Sequence, residues 1–112
     1  EEEKNMLYKD KVVLVTGVAA KHAVVGLTKA AGIEYARNSI RVNAIAPGLV
    51  RTPMTEAWFE DEDFIRDFIA VSPIGRGADP EEITGMILHL CSDAASFTNA
   101  QVFTIDGGQT AH

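Results

Sequence analysis

Read from its N-terminus, the chain first shows a continuous apolar run, Lys11-Val-Val-Leu-Val-Thr-Gly17, rich in β-branched residues and closed by glycine. That pattern predicts a strand buried on both faces of a parallel sheet. From 19 to about 37 the period changes. Ala20, Ala23, Val24, Leu27, Ala31 and Tyr35 recur at steps of three and four, with Lys21, Thr28, Lys29 and Glu34 between them. An amphipathic helix is predicted there. Gly26 and Gly32 interrupt it, each at a cost of up to about 1 kcal/mol relative to alanine, so a strand or helix is expected close against them. Residues 40–46 alternate well enough for a second strand, stopped by Pro47-Gly48.

The stretch 49–80 holds an acidic run at 60–63 and short apolar groups around Trp58, Phe59, Phe64, Ile65, Phe68 and Ile69. It reads as one or two short helices in a mobile lid, although a helical stripe packed on the core explains the aromatic residues as well. Asp79-Pro80-Glu81-Glu82 then offers an N-cap, a proline at the first helical position and acids in the first turn. A helix is predicted from there to Cys91 or Asp93, with Cys91 in the core. Residues 96–99 connect to a last strand over 101–105, which ends in a turn at Asp106-Gly107-Gly108. The order β-α-β-(short helices)-α-β implies an α/β fold, a short parallel sheet flanked by helices with right-handed crossovers. Ligands in such sheets bind at the carboxyl ends of the strands, here Thr16-Gly17, Pro47-Gly48 and Asp106-Gly107.

Composition narrows the classes. With 112 residues, 46% apolar and 23% charged, the chain is expected to be a single globular domain, with 1–10 as an N-terminal extension and 49–80 as the lid-like segment. The acidic N-terminus is not a secretion signal, Met6 reads as a natural start behind appended residues, and no apolar run is long enough for a membrane span. The single cysteine forbids an intramolecular disulfide, which points to the cytoplasm. A net charge of −6, with the acidic excess in the second half, argues against nucleic acid and reads as a solvated surface. His22, His89 and His112 have no ligand spacing with Cys91 or one another, so no metal site is expected.

The segments KVVLVTG (11–17), AAKHAVVGLTKAAGIEYARNSIRVNAIAPGLVRTPM (19–54), SPIGRGADPEEI (72–83) and QVFTIDGG (101–108) cover most of the chain. In these it resembles the short-chain dehydrogenases/reductases, which transfer hydride between a nicotinamide dinucleotide and a carbonyl or alcohol carbon. The block RVNAIAPGLVRTPM with a downstream DGG is far more specific than a glycine fingerprint alone. The resemblance implies a Rossmann-like three-layer fragment and NAD or NADP as cofactor. Thr16 and Gly17 match the start of the family's phosphate loop. Lys21 matches the lysine of its YxxxK helix, the residue that also bonds the nicotinamide ribose. Pro47, Gly48, Val50 and Thr52 match positions that contact the nicotinamide ring and its carboxamide. Each has a plain structural alternative: Pro47-Gly48 as a strand terminator, Thr52 as a helix cap, Lys21 as a solvated helix residue.

The departures from the family pattern are equally specific. Relatives are well over twice this length, and the strand resembling their first is here joined directly to the helix resembling their catalytic one, with Gly17 and Val18 at the seam. The phosphate loop TGxxxGxG continues here as Val18-Ala19-Ala20-Lys21-His22-Ala23, without its later glycines. The position four residues before Lys21 is Gly17 rather than tyrosine, and no serine precedes Lys21. Tyr35 stands fourteen residues along the same helix, roughly 21 Å away at about 1.5 Å per residue. Tyr8 precedes the first strand, at the end opposite the expected site. Two readings follow. In one, the chain is part of an NAD(P)-dependent oxidoreductase whose catalytic Tyr, Ser and glycines lie in a stretch it lacks, and a small-molecule substrate belongs to that larger whole. In the other, it is a compact, non-catalytic α/β remnant that folds and self-associates, a homo-oligomer being expected because shortening exposes apolar helix surface.

Overall fold

The computed structural model of the chain describes residues 21–111. The strand predicted over 11–17, and with it Thr16 and Gly17, lies outside them. The described elements are α1 (Lys21–Tyr35), β1 (Ala44–Pro47), α2 (Glu56–Glu60), α3 (Glu62–Val71), α4 (Pro80–Cys91) and β2 (Val102–Ile105), with 3-10 turns at Ala36–Asn38 and Asp93–Ala95. β1 and β2 are neighbours in a two-stranded sheet. Their register is parallel: the Ala44 N–H donates to Gln101 O and the Gly48 N–H to Ile105 O, each at 2.9 Å. The chain divides into two compact units, whose described parts are 21–46 with 86–103, and 47–85 with 104–111.

In the first unit the core is small and well defined: Val42, Ala44, Ile45, Leu90 and Ala95 are buried. The sequence predicts a strand over 40–46, but the ladder begins only at Ala44. The reason lies in the partner segment, where Ala100 adopts a left-handed φ of 59° and ends regular pairing. One backbone bond remains, from the Ala100 N–H to Val42 O at 2.8 Å, and side chains supply the rest. Asn99 Oδ1 accepts from the Val42 N–H at 3.0 Å, Asn43 Oδ1 accepts from the Gln101 N–H at 3.2 Å, and Asn43 Nδ2 donates to Thr98 O at 3.0 Å. Arg41 is buried and donates to Leu90 O at 2.6 Å and, beside Asn43, to Thr98 O at 3.0 Å, so both carbonyls are paired.

α1 buries a different face from the one its apolar residues suggest. Thr28 and Gly32 are buried, whereas Leu27 is 65% and Tyr35 45% exposed. A Cβ on Gly32 would lie 2.7 Å from Ala100 Cβ and 2.9 Å from Ala100 Cα, and Asn99 Nδ2 donates to Gly32 O at 2.8 Å. Close approach therefore selects small residues on the contact face. A close neighbour is found for Gly32, although it is Ala100 in the connection before β2 rather than the strand or helix expected, and none is found for Gly26, which has nothing within 4 Å among the described residues. Cys91 is also corrected: it is exposed, because one residue past the buried Leu90 the helix has turned by roughly 100°.

In the second unit, two helices form where one or two are expected. Asp61 caps α3 by accepting the Phe64 N–H at 3.1 Å. α3 buries no residue, and Trp58 and Ile69 are about half exposed, so the apolar stripe over 56–71 is only partly covered among the described residues. α4 opens as the sequence predicts: the Glu82 carboxylate reaches back to the Asp79 N–H at 2.9 Å with Pro80 at the first helical position.

Candidate functional site

The residues marked in the sequence fall into three places. Lys21 is the first described residue of α1, in the first unit. Pro47 ends β1, and Gly48 follows it so closely against β2 that a Cβ would stand 2.9 Å from both Cα and Cβ of Asp106. Only glycine fits that approach. Val50 and Thr52 belong to the loop that leaves Gly48, and two anchors hold it.

The first anchor is a single parallel bridge between Val50 and Ala78, made by the Ala78 N–H to Leu49 O at 2.9 Å and the Arg51 N–H to Ala78 O at 2.8 Å. The bonds on either side of Val50 face Ala78, so its own N–H and C=O point to the opposite edge. The second anchor is Thr55, whose hydroxyl lies 2.6 Å from Val50 O, 2.9 Å from the Thr52 nitrogen and 3.3 Å from Thr52 Oγ1. The Thr55 N–H closes a turn onto Thr52 O at 3.0 Å. Pro53 occupies the position of that turn which proline favours, and Met54 has no positive φ, as a type I turn requires. Thr52 is thus not the helix cap that one reading of the sequence allows. The turn delays the helix by three residues, and Thr55 stands at the N-cap position of α2.

Among the described residues the Val50 N–H has no hydrogen-bond partner. Thr52 keeps a half-buried hydroxyl two residues further on. One backbone donor and one side-chain hydroxyl on the same loop make a set that suits a planar group carrying both a carbonyl and an amine.

Beside this loop is a cavity of about 260 Å³ lined by Leu49, Ile74, Ala78 and Ile105, with Gly48 and Gly107 and the charged Arg76, Glu82 and Asp106 at its wall. Gly48, Asp106 and Gly107, all marked in the sequence as strand ends, line it. Its charges are already matched. Arg76 grips Glu82 bidentately at 2.7 and 2.9 Å, and this bond, aided by the Asp79 N–H, holds the Glu82 carboxyl down to about 2. Asp106 accepts the Thr110 hydroxyl at 2.7 Å and the N–H groups of Thr110 and Gly108 at 3.0 Å, and its carboxyl is lowered chiefly by the Thr110 hydroxyl. Gly107 and Gly108, at φ 64° and 90°, make the turn expected there. Among the described residues no group of three or more His, Cys, Asp or Glu side chains could hold a metal ion, and no helix is long and apolar enough to cross a membrane.

Sequence reasoning missed Thr55 and the Arg76–Glu82 pair. The spacing of Thr52 and Thr55 around Pro53 was the available signal for the first. Nothing in the sequence marks the second, since six residues and a loop separate the partners.

The sequence pattern of the family described as Enoyl-(Acyl carrier protein) reductase matches residues 14–110. The chain belongs to the short-chain dehydrogenase/reductase family. Levodione reductase of Leifsonia aquatica is 46% identical over 99 residues, which cover 83% of this chain and 37% of that protein. Among solved structures, 4-hydroxyisoleucine dehydrogenase complexed with NADH superposes with a TM-score of 0.87 at 29% identity, covering 99% of this chain and 51% of the other. A short-chain type dehydrogenase/reductase from Mycobacterium ulcerans gives a TM-score of 0.85 at 30% identity, with 99% and 45% covered. The fold is accordingly a piece of the Rossmann-like α/β architecture of short-chain dehydrogenases/reductases. This chain spans a little over a third of the length of the curated relative.

Proposed function

We propose that this chain supplies the nicotinamide-facing part of an NAD(P)-dependent oxidoreductase that moves hydride between the cofactor and a carbonyl or alcohol carbon. The observation that carries the reading is the loop at 50–52. The Val50 N–H, unpaired among the described residues, and the Thr52 hydroxyl complement the carbonyl and the amine of a primary carboxamide. NAD and NADP both present that group, so the loop suits either. The cofactor supplies the hydride acceptor or donor; the chain's part is to fix the face and orientation of the ring, with Pro47 and Gly48 beneath it. The family pattern adds Lys21 as the ribose contact and remnant of the catalytic pair, and Thr16 and Gly17 as the opening of the phosphate loop. Position 17 is glycine and no serine precedes Lys21, so the chain by itself turns over no alcohol or ketone at a family-type rate. Pairing of two copies is supported by the exposure of Leu27 and Ile33 on α1, at 65% and 74%. A reducing compartment such as the cytoplasm suits the exposed Cys91 thiol.

The test is a titration of the ¹⁵N-labelled chain with reduced nicotinamide mononucleotide. The expected result is a shift of the Val50 and Thr52 amide resonances that saturates. Movement confined to other parts of the chain, or no movement at millimolar ligand, would overturn the reading.

A further inference from the structure

Gly77 has no left-handed φ, so its backbone admits any residue, and what excludes a side chain there is space. A Cβ at 77 would lie 2.5 Å from both Cε1 and Cζ of the Phe59 ring, with Leu49 O next at an ordinary 3.5 Å. The edge of the ring thus rests on the Gly77 backbone. Over its face lies the Arg51 guanidinium, 4.2 Å from the ring centroid. These two walls belong to the segments joined by the Val50–Ala78 bridge, so together they form one socket. Phe59 is half-buried in it, whereas the adjacent Trp58 turns to α3 and starts a row of rings, 5.6 Å from Phe64, which is in turn 6.5 Å from Phe68.

That row holds α2 and α3 together as a hairpin. Neither helix buries a residue, and at five and ten residues each is too short to be stable in water by itself. Both ends of the hairpin are tied. At one the Thr55 hydroxyl donates to Val50 O at 2.6 Å; at the other Ser72 is buried, its N–H donating to Phe68 O at 3.0 Å and its hydroxyl accepting the Gly75 N–H at 3.3 Å. Between those ends the two helices depend on docking. We propose that the α2–α3 hairpin is a latched strap, which opens locally while the rest of the chain stays folded, and that Phe59 in the Arg51–Gly77 socket is its latch. Segments with few buried apolar contacts are those that open first. Released from the socket, the helices lose the docking that sustains them, their backbone bonds open together, and the Gly77 backbone and the Arg51 guanidinium are bared to solvent. The inference goes beyond the nicotinamide reading and does not depend on it.

The experiment is hydrogen exchange of the full chain, followed residue by residue by NMR, for the unaltered protein, Phe59→Ala, Gly77→Ala and the double variant. The marker amides of the strap are those of Asp61, Ile65 and Ser72, which donate to Trp58 O, Asp61 O and Phe68 O; the reference amides are those of Ala44 and Gly48, which donate to the segment of β2. A half-buried phenylalanine ring is worth about tenfold in an opening equilibrium, so the strap amides of Phe59→Ala should exchange about tenfold faster while Ala44 and Gly48 are unchanged. Gly77→Ala should act in the same direction, because its methyl group evicts the end of a side chain and leaves the backbone in place. The two changes should not add: with the ring gone, a methyl group at 77 meets only Leu49 O at 3.5 Å, and the double variant should exchange at the rate of Phe59→Ala. A single variant in which the strap amides are no faster overturns the latch. Equal acceleration at Ala44 and Gly48 also overturns it, by making Phe59 an ordinary core residue, and so does a double variant whose effect is the product of the two singles, which would place the Gly77 clash elsewhere.

Discussion

Replacing Gly32 with alanine pits a local gain against a tertiary clash. In a helix interior the change is favourable by about 1 kcal/mol, through the backbone entropy that glycine loses. At position 32 the new Cβ would stand 2.7 Å from Ala100 Cβ, 2.9 Å from Ala100 Cα and 3.1 Å from Ala100 N. Two of those three atoms are backbone, so a rotamer change cannot relieve them, and α1 must move away by the better part of an ångström. Overpacking of that kind costs roughly 1–3 kcal/mol. The same movement strains the 2.8 Å bond from Asn99 Nδ2 to Gly32 O, worth about 1 kcal/mol. The net expectation is a destabilisation of about 1–2 kcal/mol. Gly26→Ala, in the same helix but with nothing within 4 Å among the described residues, keeps only the local gain and should stabilise by up to about 1 kcal/mol. Urea unfolding followed by far-ultraviolet circular dichroism measures both. Adding Ala100→Gly to Gly32→Ala removes the nearest contact and a strained left-handed alanine at φ 59°, and should recover part of the loss. Equal stabilisation by Gly26→Ala and Gly32→Ala would refute the close approach that selects the buried face of α1.

Three further outcomes can be checked directly. Cys91, exposed at the end of α4, should react completely with a thiol reagent in the native protein; reaction only after denaturant is added would contradict its placement. The Glu82 carboxyl is lowered from 4.5 to about 2, so the stability it contributes is fully present above about pH 4.5 and disappears as pH falls through 2. The stability difference between the unaltered protein and Glu82→Gln should therefore shrink across that window; a difference independent of pH would show the pair with Arg76 to be open in solution. Asp106→Asn keeps one acceptor oxygen and puts an amide nitrogen in place of the other, so the Thr110 amide or the Gly108 amide loses its acceptor and should exchange with solvent markedly faster than in the unaltered protein, as hydrogen-exchange spectra would record; unchanged exchange at both would contradict the Asp106 turn.

Which parts of this architecture a sequence reveals depends on how local their causes are. α4 was legible almost to the residue because Asp79, Pro80 and Glu82 carry its start within one turn. The turn at 106–108 was legible for the same reason, aspartate and two glycines being sufficient to build it. β1 was misplaced at its start because the groups that satisfy 41–43 come from Asn99, Thr98 and Leu90, about fifty residues away. The buried face of α1 was misread because apolar periodicity weights Leu27 and Tyr35, while contact distance to Ala100 favours Thr28 and Gly32. Residue type points Cys91 toward the core, whereas its angular position after Leu90 turns it to solvent.

The loop at 47–55 shows the same division within one site. Pro47-Gly48 and the later Val50 and Thr52 could be picked out from a sequence pattern, and the need for glycine at 48 follows from one measurable approach to Asp106. What a pattern cannot convey is direction. A threonine hydroxyl donates and accepts equally well, and only its surroundings decide between them. Here a second threonine three residues on spends its single proton on the nearest carbonyl and leaves its lone pairs for Thr52. Ala78 fixes the other side of the loop through backbone bonds alone, so side-chain changes at 78 that keep its φ and ψ should leave the course of the loop untouched. Thr55 thus ties Val50 and Thr52 together through one hydroxyl, in a contact that exists only because the turn at 52–55 closes.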